Sequence, residues 1–267
     1  MLNRLLGIVD NASEHGYQID QMLEFAHWFV LILFVGWLSF FLFTLIRFHK
    51  SRNPKADYHG VKSKVSTHLE FTVVLVEAVM LLGFGIPIWG ERVNGDMPVK
   101  DVERIRVVAQ QFAWNFHYSG PDGKFGRQKV ELVSSSNPLG LDYTDPAAAD
   151  DIVSINEMHL PLNRNVVLDI SSKDVIHSFA LHAMRIGQDA IPGSDSPIWF
   201  KPIKTGSFDL VCAQLCGASH YAMRGVVVVD NAAGYTEWQN EMEQLNSHYK
   251  PAASAAAPAA PAQGAAK

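Results

Sequence analysis

An uncharged apolar run from Trp28 to Ile46 constrains the possible folds of this chain more than any other part of its sequence. The run is 19 residues long, close to the length that an α-helix needs to cross the hydrocarbon core of a bilayer. A buried helix of a soluble protein is the alternative, but so long a run without a charge favours the membrane. The sequence therefore predicts a transmembrane helix that is closed by Arg47 and Lys50.

A second apolar block, from about Leu69 to Trp89, predicts another transmembrane helix. It contains two carboxylates, Glu70 and Glu77. Glu70 stands at the start of the block, where the helix dipole favours an anion. Glu77 lies two turns further in, and because a carboxylate is costly in lipid we expect it to face protein or water.

The charges on either side of the first block predict the orientation of the chain. Only Arg4 precedes that block, whereas the connector that follows it is basic: Arg47, Lys50, Arg52, Lys55, Lys62 and Lys64. Since cytoplasmic loops carry the excess of Lys and Arg, we expect residues 25–90 to form a transmembrane hairpin with a cytoplasmic loop over 48–68. Residues 1–24 and everything after the hairpin would lie outside, on the periplasmic side of a cell (inner) membrane. No convincing signal peptide precedes the hairpin.

Beyond the second block the pattern changes to short alternating runs separated by turn residues. The predicted strands are Arg104–Ala109, Lys129–Val133, Val166–Ser171, Ser207–Val211 and Gly225–Val229. Such runs, broken by Pro-Asp-Gly, Asn-Pro and Pro-Gly, suit an antiparallel sandwich or barrel. We expect an all-β domain over residues 97–231, a short helix over 235–249 and an Ala/Pro-rich tail over 250–267 that builds no core.

The stretch Cys212–Met223 holds both cysteines of the chain, followed by His220 and Met223. Thiolate, imidazole and thioether are the soft ligands that select copper. Cys212 and Cys216 are four residues apart, which brings two sulfurs to one side of a turn, where each could bridge a pair of copper ions. A disulfide or a structural zinc site is the alternative, but Met223 is a poor zinc ligand and has no use in a disulfide.

The loop needs a further ligand from elsewhere in the chain. His177 follows a predicted strand, as a ligand at a strand end should, but His117, His159 and His182 are rivals. Spacing alone does not choose among them. The net charge of −5 argues against a nucleic-acid partner.

Taken together, these features resemble subunit II of the haem–copper cytochrome c oxidases over about Phe25–Trp238. The segments that carry the resemblance are Asp174-Val-Ile-His-Ser-Phe, Gln188-Asp-Ala-Ile-Pro-Gly and the loop Cys212–Met223. The resemblance implies a two-helix transmembrane hairpin followed by a cupredoxin-like barrel or sandwich with a binuclear copper A centre. The implied copper ligands are His177, Cys212, the backbone carbonyl of Gln214, Cys216, His220 and Met223, with the two cysteines as bridges.

The resemblance also implies a function. Subunit II takes electrons from a c-type cytochrome and passes them to a haem in subunit I, where oxygen is reduced to water and protons are pumped. The chain would then be the electron-accepting subunit of a proton-translocating enzyme, with subunit I and further subunits as partners and no catalytic residue of its own. The alternatives are subunit II of a quinol oxidase, which lacks the copper ligands, and a membrane-anchored copper chaperone.

Four positions add expectations about a second metal, electron entry and proton entry. Most relatives have Glu at the position of Gln214, where it helps to hold magnesium; an amide is a much poorer ligand for that ion, so we do not expect magnesium to bind here. Relatives usually have Trp at the position of Phe112, where electrons enter from the cytochrome, and Trp114 lies two residues on, so Phe112 and Trp114 are the electron-entry candidates. The change from Trp to Phe suggests a stably bound donor. For Trp114 the sequence favours ordinary packing. Glu70 resembles a glutamate at the entrance of a proton channel.

Overall fold

The computed structural model describes residues 2–56, 58–60, 62–93 and 97–247. The chain divides into two compact units, one of Met1–Met97 with Ala183–Arg185 and the other of Pro98–His182 with Ile186–Lys267. The predicted tail over 250–267 lies outside the described residues.

The first unit is helical. Its helices are α1 (Leu2–Leu5), α2 (Gly16–Arg47), α3 (Val65–Met80), a π-helical turn (Leu81–Gly85) and α4 (Ile86–Val93). Within the described residues, two helical stretches are long and apolar enough to span a membrane: Gly16–Arg47, of 32 residues, and Val65–Arg92, of 28. Both predicted apolar helices are therefore confirmed as helices.

Neither apolar stretch is buried inside the chain, so the alternative of a soluble core helix does not hold for the described residues. The first helix begins at Gly16, well before the uncharged run. Residues 17–27 contain neither proline nor a further glycine, and nothing in them ends a helix.

The second unit is built of strands, as predicted. They are β1 (Val102–Gln110), β2 (Ala113–Tyr118), β3 (Ile152–Ile155), β4 (Glu157–Pro161), β5 (Asn165–Ser172), β6 (His177–Leu181), β7 (Ile186–Ala190), β8 (Ser196–Phe200), β9 (Gly206–Cys212) and β10 (Arg224–Asp230). Helix α5 follows at Ala232–Ser247.

The strands of residues 97–247 form two five-stranded sheets with the orders β3-β2-β1-β5-β8 and β4-β10-β9-β6-β7. Six of the eight strand pairs in this part of the chain are antiparallel, as expected, but the other two are parallel. Strand β1 pairs with β5 in parallel, and β10 pairs with β4 in parallel. These partners are distant in sequence, so each pair is joined by the long connection that parallel strands require.

The predicted strand at Lys129–Val133 is also wrong. After a single bridge between Gln128 and Leu141, the chain turns through a 3₁₀ helix at Val130–Leu132. Val130 is 84% exposed and Val133 47%. Because neither valine has a buried surface to pack against, nothing holds this segment in a sheet.

The core of this unit lies between the two sheets. On β1, Ile105, Val107 and Ala109 are fully buried and alternate with less buried residues, the pattern of a strand with one inward face. Trp114 of one sheet meets Phe179 of the other edge-on, with 5.6 Å between ring centroids. This sandwich agrees with the cupredoxin-like fold that the family resemblance implies.

Helix α5 closes one side of the sandwich. Its Trp238 stacks on the His159 ring, with centroids 4.5 Å apart and planes 7° from parallel, and lies edge-on to Tyr118. Tyr235 and Trp238 are 4% and 8% exposed. The helix is thus packed on the β-unit through two aromatic side chains.

Candidate metal centre

The loop that carries both cysteines joins two neighbouring antiparallel strands. Strand β9 ends at Cys212, and β10 begins at Arg224, which pairs with Val211. The Cys212 amide donates a hydrogen bond to the Met223 carbonyl (3.2 Å). The two ends of the loop are therefore fixed side by side, at the ends of two interior strands of the sheet.

Within this loop the donor atoms converge. The two thiol sulfurs lie 3.8 Å apart, and the Cys216 sulfur lies 3.5 Å from His220 Nδ1 and 3.8 Å from Met223 Sδ. The Cys212 thiol donates to the backbone carbonyl of Gln214 (3.2 Å). Both cysteines and Met223 are buried, and His220 is half-buried.

The remaining ligand comes from the next strand. Strand β6 begins at His177 and pairs with β9 so that Phe179 lies opposite Cys212. This register places His177 Nδ1 3.9 Å from the Cys212 sulfur and 3.2 Å from Met223 Sδ. The ligand atoms of His177, Cys212 and Cys216 all lie within 4.8 Å of one another, and the His177 ring is fully buried.

The rival histidines are placed elsewhere. His117 Nε2 lies 2.7 Å from Asp151 Oδ2, and both side chains are fully buried. His159 lies between two carboxylates, Glu157 and Asp230. His182 is exposed in a short 3₁₀ helix after β6. Among the described residues, none of the three joins the group formed by His177 and the thiols.

A carboxylate on the far side of the ring orients His177. His177 Nε2 lies 2.9 Å from Asp174 Oδ1, so we assign Nε2 as the donor and leave the lone pair of Nδ1 facing the sulfurs. Burial acts to raise the pKa of Asp174, but hydrogen bonds from the Gln111 amide and the His177 ring lower it below its usual value. Such carboxylate–histidine pairs fix the tautomer of metal ligands.

Both cysteines are free thiols. A separation of 3.8 Å is well beyond the disulfide bond length of about 2 Å. Burial raises the pKa of the Cys216 thiol to about 11, and the neighbouring Cys212 thiol adds to the rise. Any metal held here must therefore displace protons from the thiols, as metal binding by cysteine generally does.

The donor set fits copper. Two thiols, a histidine on either side and a thioether, all directed into one largely buried space, are the soft ligands that copper prefers. A structural zinc site is built from Cys, His or carboxylate ligands. The Met223 thioether, which contacts Cys216 and His177, would not serve as a ligand in such a site. Copper is thus the metal that these side chains suit.

The other residues singled out in the sequence lie at different depths. Gln214 directs its carbonyl at the Cys212 thiol and is exposed. Phe112 is half-buried, and its ring lies against Gly217 of the loop. Trp114 is fully buried, 6.2 Å from the His177 ring, so it offers no surface to a partner. Glu70 is exposed on α3 in the other unit.

Two residues near the site went unassigned in the sequence analysis. Asp174 stands three residues before His177, and a carboxylate at that spacing could have been recognised as a partner of the ring. Gln111 donates from its side-chain Nε2 to the Cys216 carbonyl (2.6 Å). Nothing in the sequence indicates that contact, because the two residues are brought together only by the packing of distant strands.

Comparison with known proteins gives consistent matches. Residues 104–231 match the family described as cytochrome C oxidase subunit II, periplasmic domain. The chain is 33% identical over 233 residues to the alternative cytochrome c oxidase subunit 2 of Bradyrhizobium diazoefficiens, covering 87% of this chain and 82% of that protein. It is 26% identical over 234 residues to cytochrome c oxidase subunit 2 of Cereibacter sphaeroides, covering 79% and 74%.

Among solved structures, the chain is similar to the periplasmic domain of subunit II of cytochrome oxidase from Bradyrhizobium japonicum. The identity is 28%, the TM-score is 0.42, and the match covers 56% of this chain and 99% of that one.

Proposed function

Since the chain belongs to the cytochrome c oxidase subunit II family, we propose that it is the electron-accepting subunit of a terminal respiratory oxidase. In this proposal it takes electrons from a c-type cytochrome and delivers them to a haem of subunit I. Oxygen is reduced to water there, and protons are pumped across the membrane.

The proposed copper A ligands are the side chains that converge at the loop. Cys212 and Cys216 would bridge two copper ions, with His177 and Met223 on one side of the sulfur pair and His220 and the Gln214 carbonyl completing the set. When bound, such a copper pair supplies one-electron redox chemistry with an unpaired electron shared between two metals. The protein's part is to bury the donors, orient His177 through Asp174 and keep the two sulfurs close together.

One observation carries the proposal. A histidine from a separate strand, His177, reaches the same buried space as the two thiols and Met223, with its Nδ1 3.2 Å from Met223 Sδ. A site built from two elements on a rigid sandwich changes shape little when the charge on its metals changes. Such rigidity favours electron transfer over the exchange of a transported metal.

Partners and location follow from the same proposal. The two apolar helices would anchor the chain beside subunit I in the cell membrane, with the β-unit on the outer side. Phe112, which is half-buried against the ligand loop, would lie where electrons arrive from the cytochrome. The departure from the usual Trp at this position supports a donor that is stably bound. Glu70 would collect protons at the channel of subunit I. We propose no magnesium ligand at Gln214, because its side chain is a neutral amide.

The test is metal analysis and electron paramagnetic resonance of the purified full-length chain. We expect two copper ions per chain, a purple colour and a hyperfine pattern of one electron shared by two copper nuclei. A colourless chain that binds a single, exchangeable Cu(I) ion would contradict the proposal and favour a copper chaperone. Zinc in place of copper would contradict it as well.

A further inference from the structure

Gln111 occupies the short turn between β1 and β2, beside the ligand loop but outside it. Strand β1 ends at Gln110 and β2 begins at Ala113. This turn contributes none of the proposed copper ligands. It nevertheless makes hydrogen bonds to both of the segments that do.

The first bond leads to the segment that carries His177. The Gln111 backbone N–H donates to Asp174 Oδ2 (2.7 Å). The other oxygen of that carboxylate, Oδ1, lies 2.9 Å from His177 Nε2. One carboxylate therefore joins the turn to the buried histidine, and the position of Gln111 helps to set where that carboxylate stands.

The second bond leads to the loop that carries the cysteines. The Gln111 side chain donates from Nε2 to the Cys216 carbonyl (2.6 Å). The two groups are packed closely, because a Cβ atom added to Gly217 would lie only 2.7 Å from Gln111 Nε2. The absence of a side chain at residue 217 thus leaves the space that the amide fills.

We infer that Gln111 is a positioning residue that holds the two ligand-bearing segments at a fixed separation. Its backbone fixes the Asp174–His177 pair, and its side chain fixes the carbonyl of Cys216. The assignment of copper to this site rests on the proposed function, whereas the two hydrogen bonds do not depend on it.

The hydrogen bond from Gln111 to the Cys216 carbonyl matters because few other contacts hold this part of the loop. Around Cys216, residues 213–215 and 217–218 are exposed, so little apolar burial fixes the backbone there. The Ala213 amide is held by the Ser178 carbonyl (2.9 Å) at one end, and the 3₁₀ turn of His220 begins at the other. A hydrogen bond at Cys216 constrains the middle of the span, where the second sulfur is attached.

The test compares Gln111→Ala and Gln111→Glu with Gln110→Ala in the full-length chain. The glutamate variant keeps the shape of the side chain but faces the Cys216 carbonyl with an acceptor in place of a donor. Gln110 is the matched control, because it is the same residue type at the adjacent position, the end of β1, and its Oε1 accepts from Lys173 Nζ (2.5 Å), not from the loop.

The first readout needs no metal. In the copper-free chain, the rate at which Cys212 and Cys216 react with a thiol reagent should rise about three- to tenfold in both Gln111 variants, the effect of losing about one hydrogen bond. It should change little in Gln110→Ala. Equal thiol reactivity in all three variants and the unsubstituted chain would overturn the inference.

The second readout is the copper site itself. In the copper-loaded chain, both Gln111 variants should lose copper to a chelator about tenfold faster, as expected for a lost partner of a metal ligand, and should broaden the hyperfine pattern. If the unsubstituted chain bound no copper, the proposed function would fail while the thiol measurement still decided the role of Gln111. Unchanged copper loss and an unchanged spectrum in the Gln111 variants would overturn that role.

Discussion

Replacing Gly217 by alanine should distort the metal centre from a position that supplies no ligand side chain. Gly217 has a φ of +141°, a conformation that residues with a side chain rarely adopt, and it directly follows Cys216. A Cβ atom there would lie 2.7 Å from Gln111 Nε2 and 3.1 Å from the Phe112 ring. The loop must move to relieve these contacts, and Cys216 must move with it.

The size of the effect follows from two contributions. Placing alanine in this backbone conformation costs about 1–3 kcal/mol, and crowding a packed site costs about 1–3 kcal/mol more. Gly206→Ala should incur only the first of these costs. Its φ of +137° is nearly the same as that of Gly217, but the nearest atom to an added Cβ is 3.9 Å away, so no crowding results. We therefore expect Gly217→Ala to be less stable than Gly206→Ala by about 1–3 kcal/mol.

The assay is thermal unfolding of the β-unit in the full-length chain, together with copper retention against a chelator. For a unit of this size, the expected difference lowers the midpoint of Gly217→Ala by about 2–12 °C relative to Gly206→Ala. Only Gly217→Ala should lose copper faster than the unsubstituted chain. Equal midpoints and equal copper retention in the two variants would refute the reasoning, because the contacts at Gly217 would then have no effect.

Four other changes test separate parts of the structure. Cys216→Ser should abolish the electron paramagnetic resonance signal of one electron shared by two copper ions, while the chain stays in the membrane. A surviving signal would mean that Cys216 does not bridge the two ions. Gln214→Glu should leave the copper spectrum nearly unchanged but raise the content of magnesium or manganese, measured by elemental analysis. An unchanged content would contradict the idea that the amide of Gln214 is what prevents magnesium from binding. Asp151→Asn should lower the free energy of unfolding by about 1–3 kcal/mol, because it disturbs the fully buried hydrogen bonds that Asp151 makes with His117 and with the Gly126 amide, whereas Asp209→Asn, at an exposed pair, should change it by less than about 1 kcal/mol; similar losses in urea unfolding would contradict this. Because burial raises the pKa of Cys216 to about 11, copper must displace its proton at lower pH, so the apparent affinity should rise with pH by up to about tenfold per unit for each proton released; an affinity that is constant with pH in a competition titration would exclude a protonated thiol.

The sequence predicts the two long helices and four of the ten strands that the structure describes, β1, β5, β9 and β10, because their patterns are local. An uncharged run such as Trp28–Ile46 needs no partner within the chain to be recognised, and runs of adjacent valines mark β5 and β10. Pairing between strands is not local. The parallel neighbours β1 and β5 are far apart in sequence, and no residue in either strand specifies the other as its partner.

The same limit explains which part of the metal centre the sequence identifies by itself. The donors in Cys212–Met223 share one short loop, so their spacing alone indicates a site. His177 could not be separated from His117 or His159 by spacing, because only the register of β6 against β9 brings it to the thiols. His117 and His159 instead have carboxylate partners that lie far from them in sequence.

Helix α5 bears on how the β-unit can be produced in isolation. A fragment that stops at Asp230, where the last strand ends, would remove Tyr235 and Trp238 and leave the His159 ring without its stacking partner. The surface uncovered would be aromatic, of the kind that promotes aggregation. A soluble fragment of the β-unit should therefore extend through Ser247. If shorter fragments aggregate, the cause would be the loss of helix α5 from the sheet surface, not the absence of a metal.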